Sequence, residues 1–471
     1  RAFFDAVSPG AAALPEVSGE LQMHAIGCYT VVRDIKTGVR RAEHALLAAE
    51  AATAAFPRHA PIEAAARLDG AWRLALFNQF HDVYGGSSLE EACDDARDQL
   101  GGARSAAESV LYDTLFRRAV ELPGVPQQRV VAFNPSDAPF DGCIRWEPWV
   151  EWRAFDGWIA DEAGRRVPHQ VLPASAVIRD AFSLLWPARI APRSMAVFTL
   201  RNGQPPALPT SAAPATAPAV TDAGLTGGGW SVARGTGPDL LRFAGALLES
   251  VRVDVREDPS DTWSHGIDRF AGTVAGSFTV RASTVEESGP VRSAVRLEAG
   301  FGASTLEMSV RTYAGDTRLE MDLGIDWRER RRVAKLVFTL AGPVARRMDG
   351  IQEMGLERPQ DGREYPLIDW SVAHADAGGA GGSTLGVACP DCFALSGEGR
   401  EVAYTLLRSP VFAWHDPAVL EPHLSRRHTD QGWHRFRFSI RAGADAARSA
   451  ADAAAFHLPP ACFDWTKGMP Q

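Results

Sequence analysis

The segment Leu74-Ala75-Leu76-Phe77-Asn78-Gln79-Phe80-His81-Asp82-Val83-Tyr84-Gly85-Gly86-Ser87-Ser88 decides how this chain is read. An apolar helical run delivers an adjacent imidazole and carboxylate and breaks at two glycines. Two serines then open another helix. Polar groups at the tip of a rigid element are a common way to build a site. A His-Asp pair at a helix end is usually a cap or a local hydrogen bond, so the segment alone names no reaction.

Working outward, Ile35, Val39, Ala42 and Leu46 recur at helical spacing and predict a helix from about Thr30 to Phe56, stopped by Pro57. A second helix starts near Pro61, buries Ala65, Leu68, Trp72, Ala75 and Leu76, and ends around Phe80 to Val83. Ser88-Leu89-Glu90-Glu91 reads as a capping box for a third helix that runs to about Val120, with Gly101-Gly102 as a place to bend. Three long helices with short connections predict a three-helix bundle over residues 23–123. Residues 1–22 read as an irregular lead-in, with a short strand at Gly19-Glu20-Leu21-Gln22.

After Pro123 the pattern changes to short alternating segments between Gly, Pro, Asp and Asn. Arg129 to Phe133, Val197 to Leu200, Ala294 to Glu298 and Leu319 to Leu323 are examples. Residues 125–471 are therefore expected to be almost entirely antiparallel β-sandwich. The Pro-, Ala- and Thr-rich tract from Gly203 to Pro218 suggests a division into a small sandwich, 124–205, and a large C-terminal one, 206–471. Gly378 to Gly382 reads as a second flexible loop. The fold class is thus multidomain α plus all-β.

Composition narrows the function. Of the 471 residues 45% are hydrophobic and 23% charged, which is ordinary for a globular protein of several domains. With 49 basic and 58 acidic side chains the net charge is −9, and no basic stripe is present to neutralise phosphates, so nucleic acid is not an expected partner. No apolar run is long enough to span a membrane. Six cysteines do not make a disulfide scaffold, and Cys389-Pro390-Asp391-Cys392 lacks a second pair for a zinc site. That usage fits a reducing compartment and predicts a cytoplasmic protein. Arg1-Ala2-Phe3-Phe4-Asp5 lacks an initiator Met and is not a signal peptide, so the chain is expected to begin inside a longer protein.

Three clusters carry candidate chemistry. His81-Asp82 offers an imidazole for a divalent metal and a carboxylate for a metal or a polyol. His415-Asp416 lies between a strand and a Pro-stiffened turn, where a structural role suffices. Asp261-Thr262-Trp263-Ser264-His265-Gly266 sets a Trp among polar groups, as sugar recognition requires; a sandwich corner packed on the Trp explains it equally.

Leu76 to Asp82 followed by Gly86-Ser87-Ser88 resembles the helix-end motif of glycoside hydrolase family 38, the zinc-dependent retaining α-mannosidases. Gly19 to Gln22, Gly27 to Thr30 and Arg40 to Glu43 resemble the entry into that family's middle helical domain. Val131 to Pro135 is similar to its first small-sandwich strand. Asp326 to Arg330, Glu357 to Pro359, Leu406 to Pro410 and Asp430 to Phe436 are similar to its large C-terminal β region, in order. The resemblance spans nearly the whole chain and is closest to the bacterial branch. It implies a galactose-mutarotase-like large sandwich.

In that family one Zn2+ is held by three side chains of an N-terminal β/α barrel and the His of this motif, so the resemblance implies His81 as a metal ligand. It implies Asp82 as a substrate-binding residue that accepts hydrogen bonds from mannose hydroxyls. The nucleophile and the acid/base belong to the barrel, and the mechanism is retaining. This sequence departs from the family in having no barrel, so no catalytic residue is expected within it. The acids of residues 1–22 are only Asp5, Glu16 and Glu20 and offer no His-x-Asp pair. The reading is an α-mannosidase acting on mannose-containing oligosaccharides or glycosides, represented by a C-terminal portion that is inactive alone and binds zinc weakly. The alternative is a stand-alone carbohydrate-binding or scaffolding protein. Large sandwich surfaces commonly dimerise, so a homo-oligomer is among the expected partners.

Overall fold

The computed structural model describes residues 1–16, 25–148, 155–178, 181–207, 217–245, 247–352, 354–376, 383–421 and 423–468. The expected strand at Gly19 to Gln22, the Gly378 to Gly382 loop and much of the Pro-rich tract lie outside these residues. The described helices are α1 (Ala2–Val7), α2 (Arg33–Ala55), α3 (Ala64–Phe77), α4 (His81–Tyr84), α5 (Glu90–Ala119) and α6 (Ala446–His457). Among the described residues no helix is long and apolar enough to cross a membrane.

Helices α2, α3 and α5 bury one shared core. Ala42, Ala49 and Ala52 of α2 meet Ala96, Ala103 and Ala107 of α5, and Ile35, Leu46, Leu100 and Leu115 fill the remaining space. Ile35 and Leu46 are fully buried, so truncating either to Ala costs about 2–5 kcal/mol. The N-terminus of α2 is capped from the far end of the chain. Asp430 accepts the Val32 and Arg33 amides at 2.9 Å each, supplying what Val32, at φ +49°, cannot.

Several expectations are corrected here. The lead-in holds α1 and a 3-10 turn, Ser8–Ala13, all exposed. The second helix stops at Phe77, because the buried Asn78 turns its side-chain amide back to the Leu74 carbonyl and to Gln99. His81 therefore starts the separate single turn α4 rather than closing a long helix. The capping box at Ser88 does not form. Helix α5 starts at Glu90 without a side-chain cap, and the Ser88 hydroxyl donates to the Asp82 carbonyl at 2.8 Å instead. The C-terminal region is almost entirely β, as expected, with one described α-helix in it. Helix α6 interrupts it, capped by Asp445, whose carboxylate accepts the Arg448 amide at 2.8 Å.

The first sandwich pairs a five-stranded sheet with a three-stranded one. In Arg129–Phe133 the side chains alternate between two cores. Val130 and Ala132 face the sandwich with Trp186 and Phe198, whereas Val131 and Phe133 face the helices. That strand is fully buried and pairs on one side with Met195–Arg201 and on the other with Ala461–Trp465. The last strand of the chain thus returns to the first sheet, and a boundary at 206 does not enclose it.

The large sandwich stacks a ten-stranded and a nine-stranded antiparallel sheet. Val251, Val253, Trp327, Phe338, Tyr404, Phe436 and Phe438 occupy its core. A smaller cluster, Ile26, Tyr29, Phe270, Val333 and Ala394, ties the entry to α2 onto this sandwich. That junction positions the site.

Candidate functional site

Helix α4 is one turn long, so packing rather than propensity holds it. The Lys36 ammonium donates to the Val31 and Tyr84 carbonyls at 2.8 Å each, and burial pushes its pKa down to about 8. Gly86 lies at φ +72°, and a Cβ there would sit 2.3 Å from the Val31 carbonyl oxygen, so only glycine lets the chain pass. On this mount His81 is 75% exposed and Asp82 49%, with His81 Nε2 3.5 Å from Asp82 Oδ1. Leu76, Phe77, Phe80 and Leu89 are also exposed around them. The structure thus shows an imidazole and a carboxylate facing outward in an apolar surround.

A second group of polar side chains comes from two loops of the large sandwich. His265 stacks on Trp263 at 5.4 Å and 8° between planes, and His415 stands edge-on to both rings. Asp261, 3% exposed, accepts the Asp416 amide on Oδ2 at 2.9 Å and lies 3.3 Å from His265 Nδ1. Burial acts to raise the Asp261 pKa, but the Asp416 amide and the His265 ring outweigh it and hold the carboxyl below its ordinary value.

Arg408 braces the first loop. It is fully buried, donates to Asp258 Oδ2 at 2.6 Å, and reaches the Thr262 carbonyl at 3.0 Å and the Ser260 hydroxyl at 2.9 Å. Thr262 then donates its amide to the Trp414 carbonyl at 3.1 Å and its hydroxyl to the Val411 carbonyl at 3.0 Å, so the two loops form one unit.

The turn at Ile26–Tyr29 joins the two groups. The Gly27 amide donates to the Trp263 carbonyl at 3.0 Å, and Cys28 lies within the electrostatic reach of both Asp82 and Asp261. The Asp261 to Gly266 loop thus meets this turn directly, the His415–Asp416 loop reaches it through Thr262 and Asp261, and Asp82 acts on it electrostatically. Sequence reasoning missed Gly27, Asp258 and Arg408 as the supports. The available signals were Gly27 to Thr30 and Leu406 to Pro410, which resemble family segments but give Gly27 and Arg408 no role on sequence grounds.

Residues 23–117 match the family model of the alpha mannosidase middle domain. Residues 260–415 match that of the glycosyl hydrolases family 38 C-terminal domain, and this match begins and ends on the two loops just described. The chain belongs to glycoside hydrolase family 38. A solved protein in the Glycosyl Hydrolase Family 38 from Enterococcus faecalis aligns at TM-score 0.74 and 14% identity, over 100% of this chain and 63% of that one. An alpha-mannosidase from Enterococcus faecalis V583 aligns at TM-score 0.74 and 14% identity, over 100% and 62%. At that identity the likeness shows the fold, and this chain spans less than two thirds of either structure. A comparison with curated proteins finds no match.

Among the described residues, the His, Cys, Asp and Glu side chains close enough to share an ion are Asp261, His265 and His415, and His81 is not among them. One exposed imidazole does not hold zinc, so the described residues around His81 do not by themselves form the family's site. Cys389 and Cys392 are buried and free, and burial pushes the Cys392 thiol well up.

Proposed function

We infer that this chain is the middle and C-terminal portion of a retaining, zinc-dependent α-mannosidase that hydrolyses terminal α-mannosides. The observation that carries this reading is the outward-facing His81–Asp82 pair on a mount braced by Lys36 and Gly86, within the region matched by the family's middle domain. In this reading a catalytic β/α barrel covers the apolar surround of Leu76, Phe77, Phe80 and Leu89 and brings three further zinc ligands to His81. Asp82 accepts hydrogen bonds from sugar hydroxyls; the nucleophile and the acid/base come from the barrel, and this chain is inactive alone. The 62–63% share of the solved family structures that the chain covers supports it.

The test is the intact protein with His81→Ala. Loss of the one zinc per chain that His81 would hold, and of aryl α-mannoside hydrolysis, is expected. Full activity with unchanged zinc content overturns the reading.

The second reading, a carbohydrate-binding protein without catalysis, is favoured by one observation, the Trp263 ring set among His265, His415 and Asp261. Calorimetric titration of the 471-residue chain with mannose and mannobiose separates the two. Tight binding by this chain alone favours the second.

A further inference from the structure

Asp261, His265 and His415 each present a ligand atom, and these atoms all lie within 4.8 Å of one another. Around a tetrahedral zinc with bonds of about 2.0–2.1 Å, neighbouring ligand atoms stand roughly 3.3–3.4 Å apart. The edge between Asp261 Oδ2 and His265 Nδ1 is already 3.3 Å. The exposed His415 ring offers its ligand atom within 4.8 Å of the other two.

We propose that Asp261, His265 and His415 form a zinc site of their own, with three protein ligands and an open fourth position, separate from His81. The donor set chooses the ion. Two imidazoles and one carboxylate suit zinc, whereas magnesium and calcium ask for oxygen ligands. Three protein ligands leave one coordination position for water or a sugar hydroxyl, the arrangement of a reactive rather than a structural zinc.

The surroundings are built as a ligating site requires. Asp261 is fixed by the Asp416 amide on Oδ2 and the His265 amide on Oδ1, at 2.9 and 3.3 Å, so its oxygens are aimed before any ion arrives. Arg408 and Asp258, both buried, hold the loop behind it. The His265 ring is oriented by its stack on Trp263. Strain also gathers here. Ser264, next to His265, and Ala413, two residues before His415, take left-handed φ values of +55° and +47° without being glycine. Such conformations cost about 1–3 kcal/mol each and cluster at functional sites. A plain His265–Asp261 hydrogen bond gives no reason for a strained loop to bring His415 beside both.

The probe is Zn2+ alone, titrated by calorimetry into the chelator-stripped intact protein carrying His81→Ala, so that a site dependent on His81 is not counted. Binding of one further zinc per chain is expected. Adding His415→Ala or His265→Ala should weaken it by at least about tenfold, the scale on which even supporting residues act at metal sites. Cobalt(II) substituted for zinc should show a tetrahedral visible spectrum that His415→Ala abolishes. His415 is exposed, so its variant keeps the fold, which an unchanged thermal midpoint verifies. A folded His81→Ala protein that binds no zinc, or a zinc affinity that ignores both substitutions, overturns the proposal. Loss of activity in His81→Ala bears on the mannosidase reading alone; zinc retained in that variant bears on this one.

Discussion

The Gly27 amide donates to the carbonyl of Trp263 at 3.0 Å, joining two residues 236 positions apart in the chain. The contact exists because position 27 has no Cβ. One placed there would lie 2.3 Å from Arg408 Nη1, 2.5 Å from the Thr262 carbonyl oxygen and 2.7 Å from the Ser264 hydroxyl. Two of these neighbours cannot move away, since Arg408 is fully buried and the Thr262 atom is backbone. Gly27→Ala should therefore destabilise the protein by about 1–3 kcal/mol, as overpacking does. It should also weaken zinc binding at His265 and His415, because it displaces their loop. Urea denaturation and the zinc titration measure the two effects. An unchanged midpoint would mean that the loop yields at no cost.

Arg408 carries the same loop by charge. Its pair with Asp258 is shut off from water, with both side chains no more than 1% exposed. Removing one member of a buried pair leaves the other uncompensated and costs about 3–5 kcal/mol. Arg408→Ala should show that loss in chemical denaturation. Arg408→Lys should recover only part of it, because an ammonium cannot reach Asp258, Ser260 and the Thr262 carbonyl together.

Much of this arrangement is legible in the sequence, and the remainder is not for identifiable reasons. The periodicity of Ile35, Val39, Ala42 and Leu46 marks α2 because one face is buried in the core it shares with α3 and α5. The stop at Asn78 is invisible to periodicity, since apolar Phe77 stands just before it and apolar Phe80 just after it, yet both are exposed. Ser88 fits a cap by spacing, but the N-cap falls on Leu89, and the Ser88 hydroxyl donates to the Asp82 carbonyl without accepting a helix amide. Helix α6 lies in an alanine-rich run behind Asp445, a cap signal that the surrounding strands mask. The Trp263 and His415 groups are each visible as local clusters. Their meeting is not, because it depends on the pairing of loops about 150 residues apart, through the Asp416 amide and Asp261.

Acid should destabilise the junction of α2 with α6. The His44 ring stacks on His457 at 4.0 Å and donates from Nδ1 to the Arg40 carbonyl at 2.6 Å. Burial first, then the charges of His457 and Arg40, push its pKa from 6.5 down to about 3. The unfolded chain therefore binds a proton that the folded one refuses as pH falls from 6.5 towards 3. Stability is intact above 6.5 and is lost below it. At pH 5 this one group should contribute a loss of up to about 2 kcal/mol relative to pH 7. His44→Phe keeps the aromatic stack and removes the titration, so its stability should fall less steeply between pH 7 and 5. Parallel slopes for the two proteins in urea denaturation at several pH values would assign the acid sensitivity elsewhere.

Exposure separates structural from functional roles at His81 and Asp82. Neither side chain is buried, and their mutual contact at 3.5 Å is weak. Surface substitutions of this kind usually change stability by less than about 0.5 kcal/mol. His81→Ala and Asp82→Asn should therefore melt at nearly the wild-type temperature, and on the α-mannosidase reading proposed above the intact protein should lose most of its α-mannoside hydrolysis. The neighbouring Phe77 and Phe80 sharpen the test. At 65% and 55% exposed they contribute little to the core of this chain, so Phe77→Ser and Phe80→Ser should also melt normally. If the barrel covers them, the double substitution should loosen the intact protein, seen as faster proteolytic cleavage between barrel and helices, with zinc lost in parallel. Normal proteolysis and zinc content in that variant would show that this apolar rim is not the surface on which the catalytic domain rests.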